Sequence, residues 1–263
     1  MVFKTHIPQS ALGQAIDFVY LNYADHYEAR MVTLPMLHQE MVFNLGDVFE
    51  VENATQTYTT QGLTSWVSGL QTAPITTTSK GKHLTLGILF KPWGLYQVLG
   101  LNPSGASNNA IDGKFIFDSA IEEFIREQIG QSRDEDFLIT FEQYLLKSFP
   151  LKTIRKEIIH SVDTIDAIEK QKGAFEKIVS ELRLSSKTFI NTFNTTIGLS
   201  PLQYVQLKRV NKALALIRKY PHKTLTEIAY ELGFFDQAHF IRVFKSFCGI
   251  TPKKYRSLGN MKG

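Results

Sequence analysis

The hydrophobic pattern divides the chain into two parts of different character. Short β-branched and aromatic runs fill much of the first half: Met31–Leu37, Glu40–Leu45, Thr55–Thr60, Thr64–Leu70, Ile75–Ser79 and His83–Phe90. Gly46-Asp47, Gly62, Gly69 and Gly81 punctuate them. Several short strands at this spacing predict an antiparallel β barrel or sandwich. Ahead of them, Leu12, Ile16, Val19 and Tyr20 recur at helical spacing and predict a short amphipathic helix from Ser10 to about Tyr23. Beyond Pro92 the period becomes helical, with candidates at Gly94–Leu99, Ser119–Ile129 and Glu135–Phe149. Pro150 and the basic stretch Lys152–Lys156 mark the boundary region. The expectation is an α+β chain: a β-rich domain over residues 1–158 with accompanying helices, then an all-α domain over 159–263.

The all-α part contains an internal repeat. Phe189, Phe193, Asn194, Gly198, Ser200-Pro201 and Tyr204 match Phe240, Phe244, Lys245, Gly249, Thr251-Pro252 and Tyr255 at an offset of 51. Upstream, Ile178 and Leu182 match Ile228 and Leu232 at an offset of 50, so one residue is gained at the turn between. One supersecondary unit is therefore present twice. In the second copy, Thr224 and Glu227 form a capping box, with Leu225, Ile228, Ala229 and Leu232 on the buried face of the helix that follows. Gly233 stops that helix, and Asp236 caps another whose Phe240, Val243, Phe244 and Phe247 face inward until Gly249. Ser185 and Gly198 are the matching cap and stop in the first copy. Two short helices around a glycine turn make a helix-turn-helix. Each Ser/Thr-Pro pair opens another helix, and the one from Pro201 to about Lys219 would join the two units.

Charge sharpens the division. Of 263 residues, the first 150 hold 9 Lys and Arg against 16 Asp and Glu, a net −7; the rest hold 20 against 9, a net +11. A basic module joined to an acidic half points to a polyanion partner. At 43% hydrophobic and 21% charged, the composition is globular. No run approaches the ~18–20 apolar residues of a membrane span, and the first residues lack a signal-peptide core, so no membrane partner and a cytoplasmic location are expected. The single cysteine, Cys248, excludes an internal disulfide and a multi-cysteine zinc site.

The second unit, with Ile228-Ala229, Gly233-Phe234-x-Asp236-Gln237-Ala238-His239-Phe240-x-Arg242-Val243-Phe244-Lys245 and Gly249-x-Thr251-Pro252-x-x-Tyr255-Arg256, resembles the signature of AraC-type transcriptional regulators. The likeness covers about 100 residues, from around Ser161 to Leu258. The first half is similar to a β-rich sensory domain of some members, through Phe43-Asn44-Leu45-Gly46-Asp47, Gly87-x-x-Phe90-Lys91-Pro92-x-Gly94 and Leu99-Gly100. The resemblance implies a sequence-specific regulator of transcription that binds double-stranded DNA, works with RNA polymerase and is not an enzyme. It implies that the second helix of each unit enters successive major grooves, roughly 34 Å apart. Ser186, Lys187, Ile190, Asn191 and Asn194 would point outward from the first such helix, and Gln237, Ala238, Ile241, Arg242 and Lys245 from the second. Arg242 is the candidate for a guanine edge. Members commonly carry Arg and Lys where Asn191 and Asn194 stand. The first helix is thereby left with Lys187 as its one cation, and the interface is expected to be asymmetric. Lys208, Arg209, Lys212, Arg218, Lys219, Lys223, Lys253, Lys254 and Arg256 combine phosphate contacts with a solvated basic face.

A β barrel also raises the alternative of a cupin-like metal-binding enzyme. His6, His26, His38 and His83 form no His-x-His pair, although His38 and Glu40 would share a strand face with His83 opposite. No Gly-x-Ser-x-Gly elbow, Walker loop or dinucleotide fingerprint occurs. No cofactor and no metal are expected. A third alternative is a regulator that uses the repeat for protein contacts alone. The first half is assigned to sensing a small-molecule effector, with Trp66, Phe90, Trp93 and Tyr96 as lining candidates. The helices between Ser119 and Phe149 are candidates for pairing two chains as a homodimer.

Overall fold

The structure, a computed structural model, describes residues 1–53, 57–61, 65–131, 134–165 and 174–259. The first half is one antiparallel sheet of eight strands in the order β1-β2-β7-β3-β6-β8, with β4 and β5 extending from β7. These are β1 (Val2–His6), β2 (Ile16–Thr33), β3 (Gln39–Asn44), β4 (Phe49–Glu52), β5 (Thr57–Thr59), β6 (Ser65–Ser68), β7 (Ile75–Phe90) and β8 (Ala110–Asp112). The 16-residue β7 is the spine. It pairs with β2 along one edge, and along the other with β4 near its start and β3 near its end.

The helix expected from Ser10 to Tyr23 is a correction. Only a 3₁₀ turn, Ala11–Gln14, forms; Ile16 onward is the long strand β2. Alternation wins over the helical spacing: Val19 and Leu21 are fully buried in the core while Tyr20 and Asn22 turn to the opposite face. Pairing with both β1 and β7 supplies the backbone partners. The two expected strands Ile75–Ser79 and His83–Phe90 are one strand, irregular where Gly81 (φ +113°) faces the bulge between Ala24 and Tyr27. The run Met31–Leu37 leaves the sheet after Thr33. Of Thr55–Thr60 and Thr64–Leu70, residues 55, 56 and 64 lie outside the described residues, as does Gly62. Strands β1, β4 and β8 were not expected.

One sheet face packs on α2 (Ala120–Gln131) and α3 (Glu135–Ser148), with Met41, Phe43, Leu86 and Ile88 meeting Ile125, Leu138 and Phe141. The other carries a smaller cluster of Val42, Phe49, Val51 and Trp66. There Tyr20 lies across β7 at Gly87, where a Cβ would fall 2.1 Å from its ring, and donates its hydroxyl to Glu40 at 2.7 Å. Burial pushes the Glu40 carboxyl above its usual range, against the opposing pull of the Tyr20 hydrogen bond and the nearby His38. The helix α1 (Gly94–Leu99) follows β7 and ends on Gly100 at φ +69°.

The second half is helical: α4 (Lys156–Thr164), α5 (Ala174–Glu181), α6 (Ser186–Ile197), α7 (Pro201–Lys219), α8 (Leu225–Glu231), α9 (Gln237–Cys248) and α10 (Pro252–Gly259). Their shared core, built on Phe189, Phe193, Phe240 and Phe244, also takes in Leu34, Leu37, Leu70, Trp93 and Tyr96 of the first half. The paired phenylalanines are fully buried, as i, i+4 core residues should be. α4 straddles residues 158 and 159, with Ile158 and Val162 in the helical core.

Candidate nucleic-acid interface

The repeat seen in the sequence recurs bond for bond in the backbone. Arg183 N–H donates to Ser180 O and Leu184 N–H to Val179 O; fifty residues on, Gly233 N–H donates to Tyr230 O and Phe234 N–H to Ala229 O. These bonds close the turn after α5 and after α8 in the same way. The residue facing the left-handed position is glycine in one copy and Arg183 (φ +52°) in the other. Beyond the turn the offset becomes 51 because Phe235 is extra, and this ring is 86% exposed at the start of α9.

The caps also match. The Ser185 hydroxyl accepts from Thr188 N–H, and Asp236 accepts from His239 N–H at 2.6 Å. Gly198 and Gly249 end α6 and α9 at φ +94° and +70°. Capping boxes open α7 at Ser200/Gln203 and α8 at Thr224/Glu227. At about 1.5 Å per residue the 19-residue α7 spans roughly 28 Å, close to a turn of duplex. It is fixed to the second unit by Arg209, which is 2% exposed, donates to Gly233 O at 3.2 Å and lies over the Phe234 ring. Arg209 is thus removed from the expected phosphate-contacting cations. Lys208 donates to Val162 O, and Arg256 to Lys223 O.

On α6, Ser186, Lys187, Ile190 and Asn191 are exposed, as expected of an outward face. Asn194 differs: it is half-buried, and its Oδ1 is buried without a hydrogen-bond partner. The cause is the docking of the α6 C-terminus on the first half. Gln39, itself fully buried, donates to Ile197 O at 3.0 Å and accepts from Leu95 N–H at 3.0 Å. Ser107 donates to Gly198 O at 2.9 Å. On α9, Ala238, Arg242 and Lys245 are exposed, Gln237 is half-buried with its Oε1 accepting from the Thr226 hydroxyl at 2.7 Å, and Ile241 is half-buried against the helical core. The second helix therefore presents two exposed cations where the first presents one. Phe235 is the surface group that the repeat alignment missed; the extra residue at the turn was its signal.

The four effector candidates do not converge. Phe90 is fully buried in the core between the sheet and α2–α3, Trp66 sits in the small cluster on the opposite face, and Trp93 and Tyr96 pack on the helical core. His38 pairs with Asp17 at 2.9 Å, and His83 packs near Tyr27 and Phe49. Among the described residues no group of three His, Cys, Asp or Glu could hold a metal ion, and no helix is long and apolar enough to cross a membrane.

Two bihelical units with equivalent caps and turns, joined by one helix, define a tandem helix-turn-helix module. Residues 178–257 match the family described as a helix-turn-helix domain, and residues 4–112 match a domain of unknown function, DUF6597. The chain is 28% identical over 107 residues to the transcriptional regulator MtrA of Neisseria gonorrhoeae, covering 41% of this chain and 35% of MtrA. It is 33% identical over 82 residues to the transcriptional activator RhaS of Salmonella arizonae, covering 31% and 29%. The chain thus spans about a third of the length of the curated relatives it matches. The structure of ToxT from Vibrio cholerae aligns over 98% of this chain and 99% of its own, at 13% identity and a TM-score of 0.47.

Proposed function

We propose that the chain is a sequence-specific, double-stranded-DNA-binding regulator of transcription, organised as a first domain over residues 1–158 and a DNA-binding domain over 159–263. The observation that carries this reading is the duplication itself: two units with the same caps and turns, held by α7, each with a polar face on its second helix. Ser186, Lys187, Ile190, Asn191, Asn194, Gln237, Ala238, Ile241, Arg242 and Lys245 form the reading surface. Arg242 reads a guanine edge, Lys245 touches phosphate, and Phe235 lies against sugar or a thymine methyl group. The half-burial of Asn194 and Ile241 leaves them the smaller shares. The relatives it matches are transcriptional regulators, which supports a binding role with RNA polymerase as the downstream partner, rather than catalysis, and a cytoplasmic site of action.

The first half serves sensing and pairing. Ile139 and Leu146, seven residues apart on α3, are 37% and 42% exposed and offer an apolar stripe for a second chain. Selection of bound duplexes from a random pool by the full chain tests the main reading. Enrichment of a site with two reading segments about one helical turn apart is expected. Recovery of no consensus would refute it. Sedimentation of the full chain tests pairing, and a strict monomer at micromolar concentration would dispose of the dimer.

A further inference from the structure

Thr226, in the first turn of α8, and Gln237, the first residue of α9, meet across the turn of the second unit. The Thr226 hydroxyl donates to Gln237 Oε1 at 2.7 Å. That length is usual for O–H···O and shorter than is usual for N–H···O. Thr226 stands too early in α8 for its hydroxyl to bond a carbonyl four residues back within the helix, so its proton goes to the amide oxygen. A glutamine alone can present its acceptor and donor in either order. Here the oxygen end is fixed.

This bond leaves Gln237 a definite hydrogen-bonding set. A carboxamide has two lone pairs on oxygen and two N–H donors. Thr226 takes one lone pair, and among the described residues nothing takes the N–H groups. One acceptor and one donor remain side by side in a plane. In the major groove adenine offers the complement, an N6 donor next to the N7 acceptor. Guanine offers two acceptors there, one of which would face the fixed oxygen, and thymine offers O4 alone. The first unit has no such fork: the positions equivalent to Thr226 and Gln237, at offsets of 50 and 51, are Glu176 and Ser186.

We propose that Thr226 is a positioning residue that holds the Gln237 carboxamide to read an adenine. The proposal rests on the DNA-binding reading of α9 and adds to it one base and the residue that orients its reader. Because Thr226 orders the amide before DNA arrives, less side-chain freedom is lost on binding. Arg242, five residues further along α9, reads a different base pair.

The test uses the full chain and the duplex it selects, with each of the four base pairs placed in turn at every position. At one position the unaltered chain favours A·T about tenfold or more, and Gln237→Ala abolishes that preference. Thr226→Val keeps the outline of the side chain and removes the hydroxyl. It lowers the preference about fivefold. Since Thr226 is exposed, the other positions, the salt slope and the thermal midpoint do not change. Thr226→Ser restores the preference, and Thr226→Val has no further effect in the Gln237→Ala background. A Thr226→Val variant that weakens all four base pairs alike, or none, would overturn the proposal. So would failure of Thr226→Ser to restore the preference, or additivity with Gln237→Ala. A uniform loss of affinity with a shallower salt slope in Gln237→Ala would assign that side chain to phosphate and also overturn it. If Arg242→Ala relaxes its own position while Thr226→Val changes nothing, this proposal falls and the DNA-binding reading stands; a chain that selects no duplex loses both.

Discussion

Arg242 and Lys187 stand on unequal helices. Both are exposed, but Arg242 shares its face with Lys245, while Lys187 is the one cation of α6. Each phosphate neutralised adds to the salt dependence of binding, so the second unit should carry most of it. Arg242→Ala is expected to cost about 1–3 kcal/mol at its preferred base pair and to lower the salt slope more than Lys187→Ala does; salt titrations of both variants on the selected site check the order. Glu142 makes a different prediction at the same scale. Burial alone would raise its pKa, but hydrogen bonds from Ser10 and His6 outweigh that and hold it below the usual carboxylate range. A depressed folded pKa contributes stability above the unfolded value and loses it as pH falls through the folded one. The thermal midpoint should therefore fall as pH drops below about 5, and Glu142→Gln should flatten that fall. An unchanged acid slope in the variant would show that other groups carry it.

At the scale of elements, helix ends distinguish two otherwise equivalent glycines. Both Gly198 and Gly249 have positive φ, so alanine at either position incurs left-handed strain of about 1–2 kcal/mol. At Gly249 a Cβ meets only the Pro74 side chain at 3.4 Å, whereas at Gly198 it meets the Pro103 backbone at 3.0 Å. Gly198→Ala should cost about 1 kcal/mol more than Gly249→Ala in chemical denaturation; equal costs would mean that the contact with Pro103 yields freely. These ends were legible in the sequence because caps and stops are local chemistry: Ser200-Pro201 and Thr224/Glu227 each declare a start within four residues. The strands were less legible because their partners are remote. Leu12, Ile16, Val19 and Tyr20 fit a helix as well as a strand, and only pairing with β1 and β7 decides between them. β4 and β8 are four- and three-residue strands whose existence depends on β7 and β6. The faces of α6 and α9 followed from periodicity, yet the half-burial of Asn194 and the burial of Arg209 did not, since each depends on a surface far away in sequence.

The whole molecule is organised by the contact between its halves. Gln39 satisfies one group on each side, Leu95 N–H in the first half and Ile197 O at the end of α6. Gln39→Leu keeps the volume but leaves both groups buried without that partner, at about 1–3 kcal/mol each. Lower global stability is expected, together with faster amide exchange from Gly198 through Tyr204 than in the unaltered chain. Unchanged exchange there would show that Ser107 alone suffices to hold the helix end. Ile197 and Gly198 carry the final carbonyls at the end of α6, so if α6 seats on a duplex as proposed, it also sets the pose of the sheet. Two chains pairing through α3 would then inherit their mutual angle from how their sheets are mounted, and neighbouring operators would have to be phased on the duplex to suit that fixed angle.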